Sequence, residues 1–456
     1  MGRTRRAVIL DAMGAAAVIG LGACAPGSGG NSSASSGPTG PISTDPAKAG
    51  KVTLTEWDQN TPDSGVNPST EALNKAFMAK YPNVTIKRVS RSFQDLKTTL
   101  KLALSSNNPP DVVQANQGYP DMGAFVKAGL LTPLDRYAKV YGWTDYYPSE
   151  LLGLNKFTGD GKTWQTGNLY GISQTGEIVG IYYNKKILKR LGITAPTTYQ
   201  EFTALLPKVK KAGTLPIAFG NSDKSPAIHL YGVVQAAVAG KQEVRDLVFN
   251  QNDKSWSDPG NVSAAKVIQD WADNGYLSNG FNGMTMDNAQ AQFTAGTSAF
   301  MLNGTWAAAD VQTKLGETNV GFVALAPSSG AGPLTQGGEG LAWAITSKSP
   351  HKDVAAAYLN FINNPDGMAE VAKIGSLPAI PPSSYQPTSG TLAADVLTQW
   401  RDVSSSDGLL PYLDYTTPTF YDTLTSALQE LLAGKLSAAD FGKQLQADYQ
   451  SFRSGQ

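Results

Sequence analysis

The sequence predicts an α/β fold built on a parallel sheet. Strand-like and helix-like segments alternate from residue 51 onward, and the loops after the apparent strands are rich in Asn, Gln, Asp and Glu. The length of 456 residues adds that the chain forms two or more domains, or one core split into lobes.

The elements follow in order. "KVTLTEWDQN" (51–60) alternates apolar and polar residues, then turns polar at Asp58, Gln59 and Asn60: a strand feeding a loop. "SGVNPSTEALNKAFMAKYP" reads as a helix with Ala72, Phe77 and Met78 among its apolar positions, and "NVTIKRVS" as a second strand. "FQDLKTTLKLALSSN" places Leu96, Leu100 and Leu104 on one helical face. "PPDVVQANQGYPDMGAFVKAGLL" is a short buried strand, a loop and a helix. In such sheets ligands meet loops beyond the carboxyl ends of the strands. Three loops qualify: 57–60, 114–119 and 173–177. Near the C-terminus, Leu424, Leu428, Leu431 and Leu432 lie on an amphipathic helix and are expected in the core.

Composition narrows the function. Thirty-seven basic residues balance thirty-seven acidic ones, which removes the charge argument for a nucleic acid partner. Charged residues make up 16%, against about 25% in ordinary soluble domains, so surface and cleft suit neutral, hydrogen-bonding ligands. One cysteine forbids an internal disulfide and any multi-cysteine metal site. The two histidines, His229 and His351, lie far apart in sequence and read as surface or cleft side chains. No cofactor and no metal are expected.

The N-terminus reads as an export signal. "GRTRR" is its basic region, and "AVILDAMGAAAVIGL", interrupted by Asp11, is too short for a comfortable membrane span. Leu21-Gly22-Ala23-Cys24 resembles a bacterial lipobox, in which the thiol takes a diacylglycerol and the small residues admit the signal peptidase. Residues 1–23 are thus expected to be a lipoprotein signal peptide, with Cys24 the lipid anchor on the outer face of the cell membrane. "TRRAVIL" also resembles a twin-arginine signal, the general secretory route being the alternative. Residues 24–50, rich in Gly, Ser and Pro, are expected to be a flexible tether spanning roughly 30 Å.

From Tyr170 a family resemblance emerges. "GIYYNKKILKRLGI", followed by "TYQEF", joins "PPDVV", "FVKAGLLTPLD", "FTAGTSAFMLNGTW", "NVGFVALAP" and "AWAITSKSPHKDVAAAYLNFI", dispersed in order from about 51 to 375. Together they resemble the extracellular solute-binding proteins of ATP-driven importers, in the sugar-binding group that includes maltodextrin-binding protein. The resemblance implies a two-lobed, periplasmic-binding-protein-like α/β fold, with three crossing segments and a ligand cleft between the lobes. The crossings are expected near Ile172–Gly176, Asn319–Leu325 and Ile374–Leu377. Lobe 1 would then hold 51–173 and 325–374, and lobe 2 would hold 176–319 and 377–456. The implied partners are a carbohydrate, an ABC permease and, through the anchor, the membrane. The protein is expected to be a monomer and not an enzyme. A polyol or another neutral solute is the alternative ligand, and a two-lobed glycoside-acting enzyme the alternative class.

A sugar needs planar amides or carboxylates for its hydroxyls and aromatic faces for its rings. By the resemblance, Trp306 in "LNGTW" matches a stacking tryptophan, the alternative being core packing. Glu177 matches a cleft carboxylate just past the first crossing, or else a hinge ion pair. Asn116 and Gln117 follow "DVV". Trp57, Asp58 and Asn60 follow the first strand, although Trp57 could equally cap the core. "TQGGEGLAWAI" (335–345) lacks the Lys-Ser/Thr of a phosphate loop. The resemblance puts it at the cleft rim, making Gly338 and Glu339 contact candidates. Asp223 and Tyr231 follow another apolar strand, and Tyr412 lies in "LLPYLDYTTPTFYDTL" with Asp414 and Tyr415.

Overall fold

A computed structural model describes residues 40–62 and 64–455. Along these residues the strands are β1 (Val52–Asp58), β2 (Val84–Ser90), β3 (Val112–Ala115), β4 (Lys156–Phe157), β5 (Asn168–Leu169) and β6 (Gly176–Asn184). They continue as β7 (Leu215–Ala218), β8 (Ser298–Gly304), β9 (Val320–Val323), β10 (Thr335–Glu339), β11 (Ala342–Ile345) and β12 (Leu409–Leu410). The first sheet has the order β11-β3-β1-β2. In it β1 and β2 run parallel from Val52 opposite Val84 to Asp58 opposite Ser90, β3 is parallel to β1, and β11 is antiparallel to β3. The second sheet has the order β12-β10-β6-β8-β7, with β9 also pairing β6. Among the described residues no helix is long and apolar enough to cross a membrane.

Alternation explains β1. Val52, Leu54, Glu56 and Asp58 are buried on one face, which leaves Trp57 on the other. Leu96, Leu100 and Leu104 of helix Phe93–Ser105 are all buried. Helix Asn67–Lys80 buries Leu73, Asn74 and Phe77, whereas Ala72 is exposed and Met78 only half-buried. The first lobe's core forms around Phe77, Leu134, Tyr137, Trp143, Trp343 and Tyr358. A second apolar cluster continues from Val113, Tyr119 and Trp164 of the first lobe to Tyr412 and Tyr415 of the second. The lobes therefore touch.

Three stretches lie side by side between the sheets. Gly176 N–H donates to Leu377 C=O, Ala379 N–H to Gln174 C=O and Gly340 N–H to Thr175 C=O, each at 2.9 Å. The second passage thus falls between Glu339 and Ala342, not near Asn319–Leu325. Both β9 and β10 still pair with β6 in the second sheet, and only β11 joins the first. Residues 325–339 accordingly stay with the second lobe. Glycine lets this happen: a Cβ on Gly337 would lie 2.2 Å from the Glu177 carbonyl oxygen.

The expected tether is also shorter than its composition implies. Residues 40–50 pack on the first lobe: Arg136 Nη2 donates to Gly40 C=O at 2.7 Å, Ser43 N–H to Asp353 Oδ2 at 2.8 Å and Asn83 Nδ2 to Pro46 C=O at 2.8 Å. Pro46 is buried and Ile42 packs against the core. The anchor residue Cys24 and the export signal lie outside the described residues.

Candidate functional site

The second lobe brings four side chains together. Trp306 follows β8 in a short turn of helix, Tyr412 lies two residues past β12, His229 sits on helix Pro226–Val238 and Glu177 on β6. The His229 ring lies 5.2 Å from Trp306 and 5.5 Å from Tyr412, centroid to centroid, and Tyr412 lies 5.6 Å from Tyr415. Gly304 seats the indole, since a Cβ there would lie 2.0 Å from Trp306 Cζ3. Glu177, His229 and Trp306 are half-buried. Each of the three keeps part of its surface open.

The polar atoms here are poorly satisfied. Tyr412 Oη and His229 Nδ1 are buried without a hydrogen-bond partner. Burial pushes the Glu177 carboxyl up to about 7 and pulls the His229 imidazole down to about 4. The Tyr412 phenol is raised by burial and by the Glu177 charge, which puts those two groups in each other's field. Buried polar atoms normally find partners, so a cluster lacking them marks a place where a ligand or ordered water completes the set.

Glu177 carries a pH prediction. Its folded-state pKa lies above the unfolded value, so between about pH 4.5 and 7 the folded protein binds more protons and stability falls as pH rises. Glu177→Gln is expected to melt higher than wild type at pH 8, with the gap closing toward pH 4.5. Differential scanning calorimetry at both pH values checks this; a gap independent of pH contradicts it.

The first lobe supplies the facing wall. Tyr415 Oη contacts Asn116 Oδ1 at 3.2 Å and Gln117 Oε1 at 3.1 Å. One hydroxyl hydrogen serves two acceptors, which leaves one of them open to another donor. Gln117 Nε2 donates to Gly340 C=O at 2.9 Å, tying this loop to the second passage. Trp57, on the outward face of β1, stacks with the Arg91 guanidinium at 4.3 Å. Gln94 Nε2 crosses between the lobes to Asp223 C=O at 3.0 Å and Tyr421 Oη at 2.8 Å. These contacts describe a closed arrangement.

Several expected contacts lie elsewhere. Asp58 is 0% exposed and its two oxygens bind Arg88 at 2.7 and 2.8 Å, while Asn60 Nδ2 donates to Thr70 Oγ1 at 2.9 Å. Both belong to a buried network inside the first lobe, because alternation turns Asp58 to the core side of β1. Tyr231 is a core residue: it is 0% exposed, with Phe441 edge-on at 5.1 Å and its hydroxyl on Asn261 C=O at 3.2 Å. The Asp223 carboxylate accepts from Met286 N–H at 2.6 Å, and only its carbonyl faces the first lobe. Glu339 is a strut of the second passage: it is 1% exposed, Asn155 Nδ2 donates to it at 2.6 Å, and burial raises its carboxyl well above the usual range. Gly338, at φ +151°, lets β10 pass Leu154, whose Cδ1 would lie 2.6 Å from a Cβ. His229, Tyr415 and Arg91 are the residues the sequence did not single out as contacts. The tyrosine's place in the same run as Tyr412 was the available signal. Among the described residues no group of His, Cys, Asp or Glu is placed to hold a metal.

Known proteins share this architecture. A solved chitin oligosaccharide binding protein superposes with a TM-score of 0.76 at 24% identity, covering 89% of this chain and 100% of its own. An uncharacterized ABC transporter extracellular-binding protein of Pyrococcus horikoshii is 27% identical over 390 residues, 81% of this chain and 82% of that one. The melibiose/raffinose/stachyose-binding protein of Bacillus subtilis is 25% identical over 432 residues, 89% of this chain and 91% of that one. The profile of bacterial extracellular solute-binding proteins matches residues 72–399. With that match spanning most of the chain, and with two α/β lobes meeting at three passages, the chain belongs to the bacterial extracellular solute-binding protein family.

Proposed function

We propose that the protein captures a neutral carbohydrate between its lobes and delivers it to the transmembrane subunits of an ABC importer. The observation that carries this is the set of unpartnered polar atoms, Tyr412 Oη and His229 Nδ1, beside the Trp306 indole and the Glu177 carboxyl. An indole face suits the apolar C–H face of a sugar ring, and the polar atoms suit its hydroxyls. Relatives named for melibiose, raffinose and stachyose, and a multiple sugar-binding protein of Streptococcus mutans, support the same ligand class. Contacts across the lobes, such as Gln94 to Tyr421, would then favour the closed state once solute fills the space.

A thermal-shift screen over mono- and oligosaccharides tests the proposal. A ligand at 100 times its Kd stabilises the folded state by about 2.7 kcal/mol, so at least one saccharide is expected to raise the melting temperature by several degrees. A flat response across the screen, or release of cleaved sugar at enzymatic rates, contradicts it.

The protein is proposed to work as a lipid-anchored monomer outside the cell, with Cys24 as the anchor. Residues 40–50 are held on the first lobe, so only residues 24–39 would span the gap to the membrane. A Gly/Ser-rich chain of that length reaches roughly 20–25 Å. Cys24→Ser is expected to leave solute binding unchanged and release the protein from the membrane fraction. A variant that stays membrane-bound places the anchor elsewhere.

A further inference from the structure

The Trp306 indole and the Tyr412 ring have an aromatic and a polar part that a sugar-binding site uses. Between them sits a side chain with no assigned part, His229. Its surroundings are unusual for a core histidine. A histidine retained for packing would place both ring nitrogens on partners or in solvent, because a buried unpaired nitrogen costs about 1–3 kcal/mol. Here Nδ1 is buried and unpaired, while the ring as a whole keeps part of its surface open.

The neighbourhood repeats the pattern. Gly232 lies three residues after His229, on the same face of helix Pro226–Val238. It has no side chain, and the Gln336 amide of β10 fills the room: a Cβ on Gly232 would lie 2.2 Å from Gln336 Oε1. Both Gln336 amide atoms are buried without partners, as is Tyr412 Oη. Helix Pro226–Val238 therefore has unsatisfied polar side chains against it at two places, Tyr412 beside His229 and Gln336 at Gly232.

We propose that His229 is a ligand-contacting, specificity-determining residue, forming with Tyr412 and Trp306 a subsite on the second lobe that takes one uncharged, hydroxyl-bearing ring. This rests on the carbohydrate reading above and names the residues that read one sugar unit. The chemistry fits. Burial keeps the imidazole neutral at pH 7. A neutral imidazole offers one N–H donor and one lone pair, and a sugar hydroxyl both donates and accepts. Tyr412 Oη offers the same pair of roles. The Trp306 face covers the ring's C–H side, at the position that Gly304 opens for the indole. A ring lacking the hydroxyl that meets His229 leaves the nitrogen unpaired and is rejected, which is how buried polar groups discriminate more strongly than apolar pockets do.

The test is titration calorimetry of wild type, His229→Phe, His229→Asn and Tyr412→Phe with the saccharides that shift the wild-type melting temperature, paired with ligand-free melting of each variant. Phenylalanine keeps the ring contacts with Trp306 and Tyr412 and removes the nitrogens. His229→Phe is expected to bind at least about tenfold more weakly, while the ligand-free variant melts no lower than wild type because an unpaired buried atom is gone. His229→Asn is expected to recover part of the affinity, since it restores a donor and an acceptor. Tyr412→Phe is expected to weaken binding with the same unchanged ligand-free melting. A His229→Phe protein that binds as wild type does overturns the role of His229 and leaves the carbohydrate reading standing. So does one whose ligand-free melting drops by several degrees while His229→Asn recovers stability and no affinity. A wild type that binds no saccharide overturns both.

Discussion

Trp306→Ala is expected to weaken solute binding by about 2–4 kcal/mol, which is roughly thirty- to a thousandfold in Kd. The indole is half-buried, stands 5.2 Å from the His229 ring and packs against the clusters of the second lobe. A sugar ring on its open face would gain both apolar burial and ring stacking, and the substitution removes both. Gly304→Ala offers an independent check that leaves the tryptophan in place. The added methyl would meet the indole at 2.0 Å and must displace it, so binding is expected to weaken in the same direction. Wild-type affinity of Trp306→Ala in titration calorimetry would remove the residue from the site.

Arg88→Ala is expected to cost about 3–5 kcal/mol of folding stability, the usual penalty for removing one partner of a buried pair. The guanidinium binds both oxygens of Asp58 and, through Nη1, Asn67 Oδ1 at 2.7 Å, and it also donates to Asn60 C=O. Glu56 lies 3.9 Å from it and is 1% exposed, hydrogen-bonded to Asn74 and Tyr358. Burial and the charge of Asp58 push the Glu56 carboxyl up to about 8. Without Arg88 two buried carboxyl groups lose the cation they share. Denaturant unfolding measures the loss. Solute affinity is expected to stay near wild type under conditions where the variant is folded, because Asp58 and Asn60 belong to this network and not to the space between the lobes. A stable Arg88→Ala protein with weakened binding would return Asp58 to the site.

Much of the scaffold was legible in the sequence, for physical reasons that differ by element. Strands β1 and β2 and helix Phe93–Ser105 follow from period: alternate residues in the strands, Leu96, Leu100 and Leu104 in the helix. Trp306 comes from the family resemblance, and the structure puts it beside His229 in the second lobe. The placement of Asp58 and Asn60 was not legible, because their partner Arg88 lies about thirty residues along the chain on a neighbouring strand. Tyr231 misled because helix Pro226–Val238 is apolar and buried nearly all round, so no periodic face separates core from cleft. Two residues earlier on that helix, His229, read from the sequence as a surface or cleft side chain, keeps part of its surface open. "TQGGEGLAWAI" (335–345) reads as a Gly-rich loop before a strand, yet Thr335–Glu339 is itself strand β10, since its glycines admit the β6 backbone. That also moved the second passage from about residue 320 to 340.

Solute is proposed to be held between the lobes against Trp306. A crystal structure of the protein with the saccharide that gives the largest thermal shift tests it most directly. A sugar ring is expected against the Trp306 indole, with hydroxyls on Glu177, His229 and Tyr412 and the wall of Asn116 and Gln117 opposite. A saccharide seated instead in the surface groove of the second lobe lined by Thr197, Ser328 and Asp402, with Trp306 untouched, would contradict it.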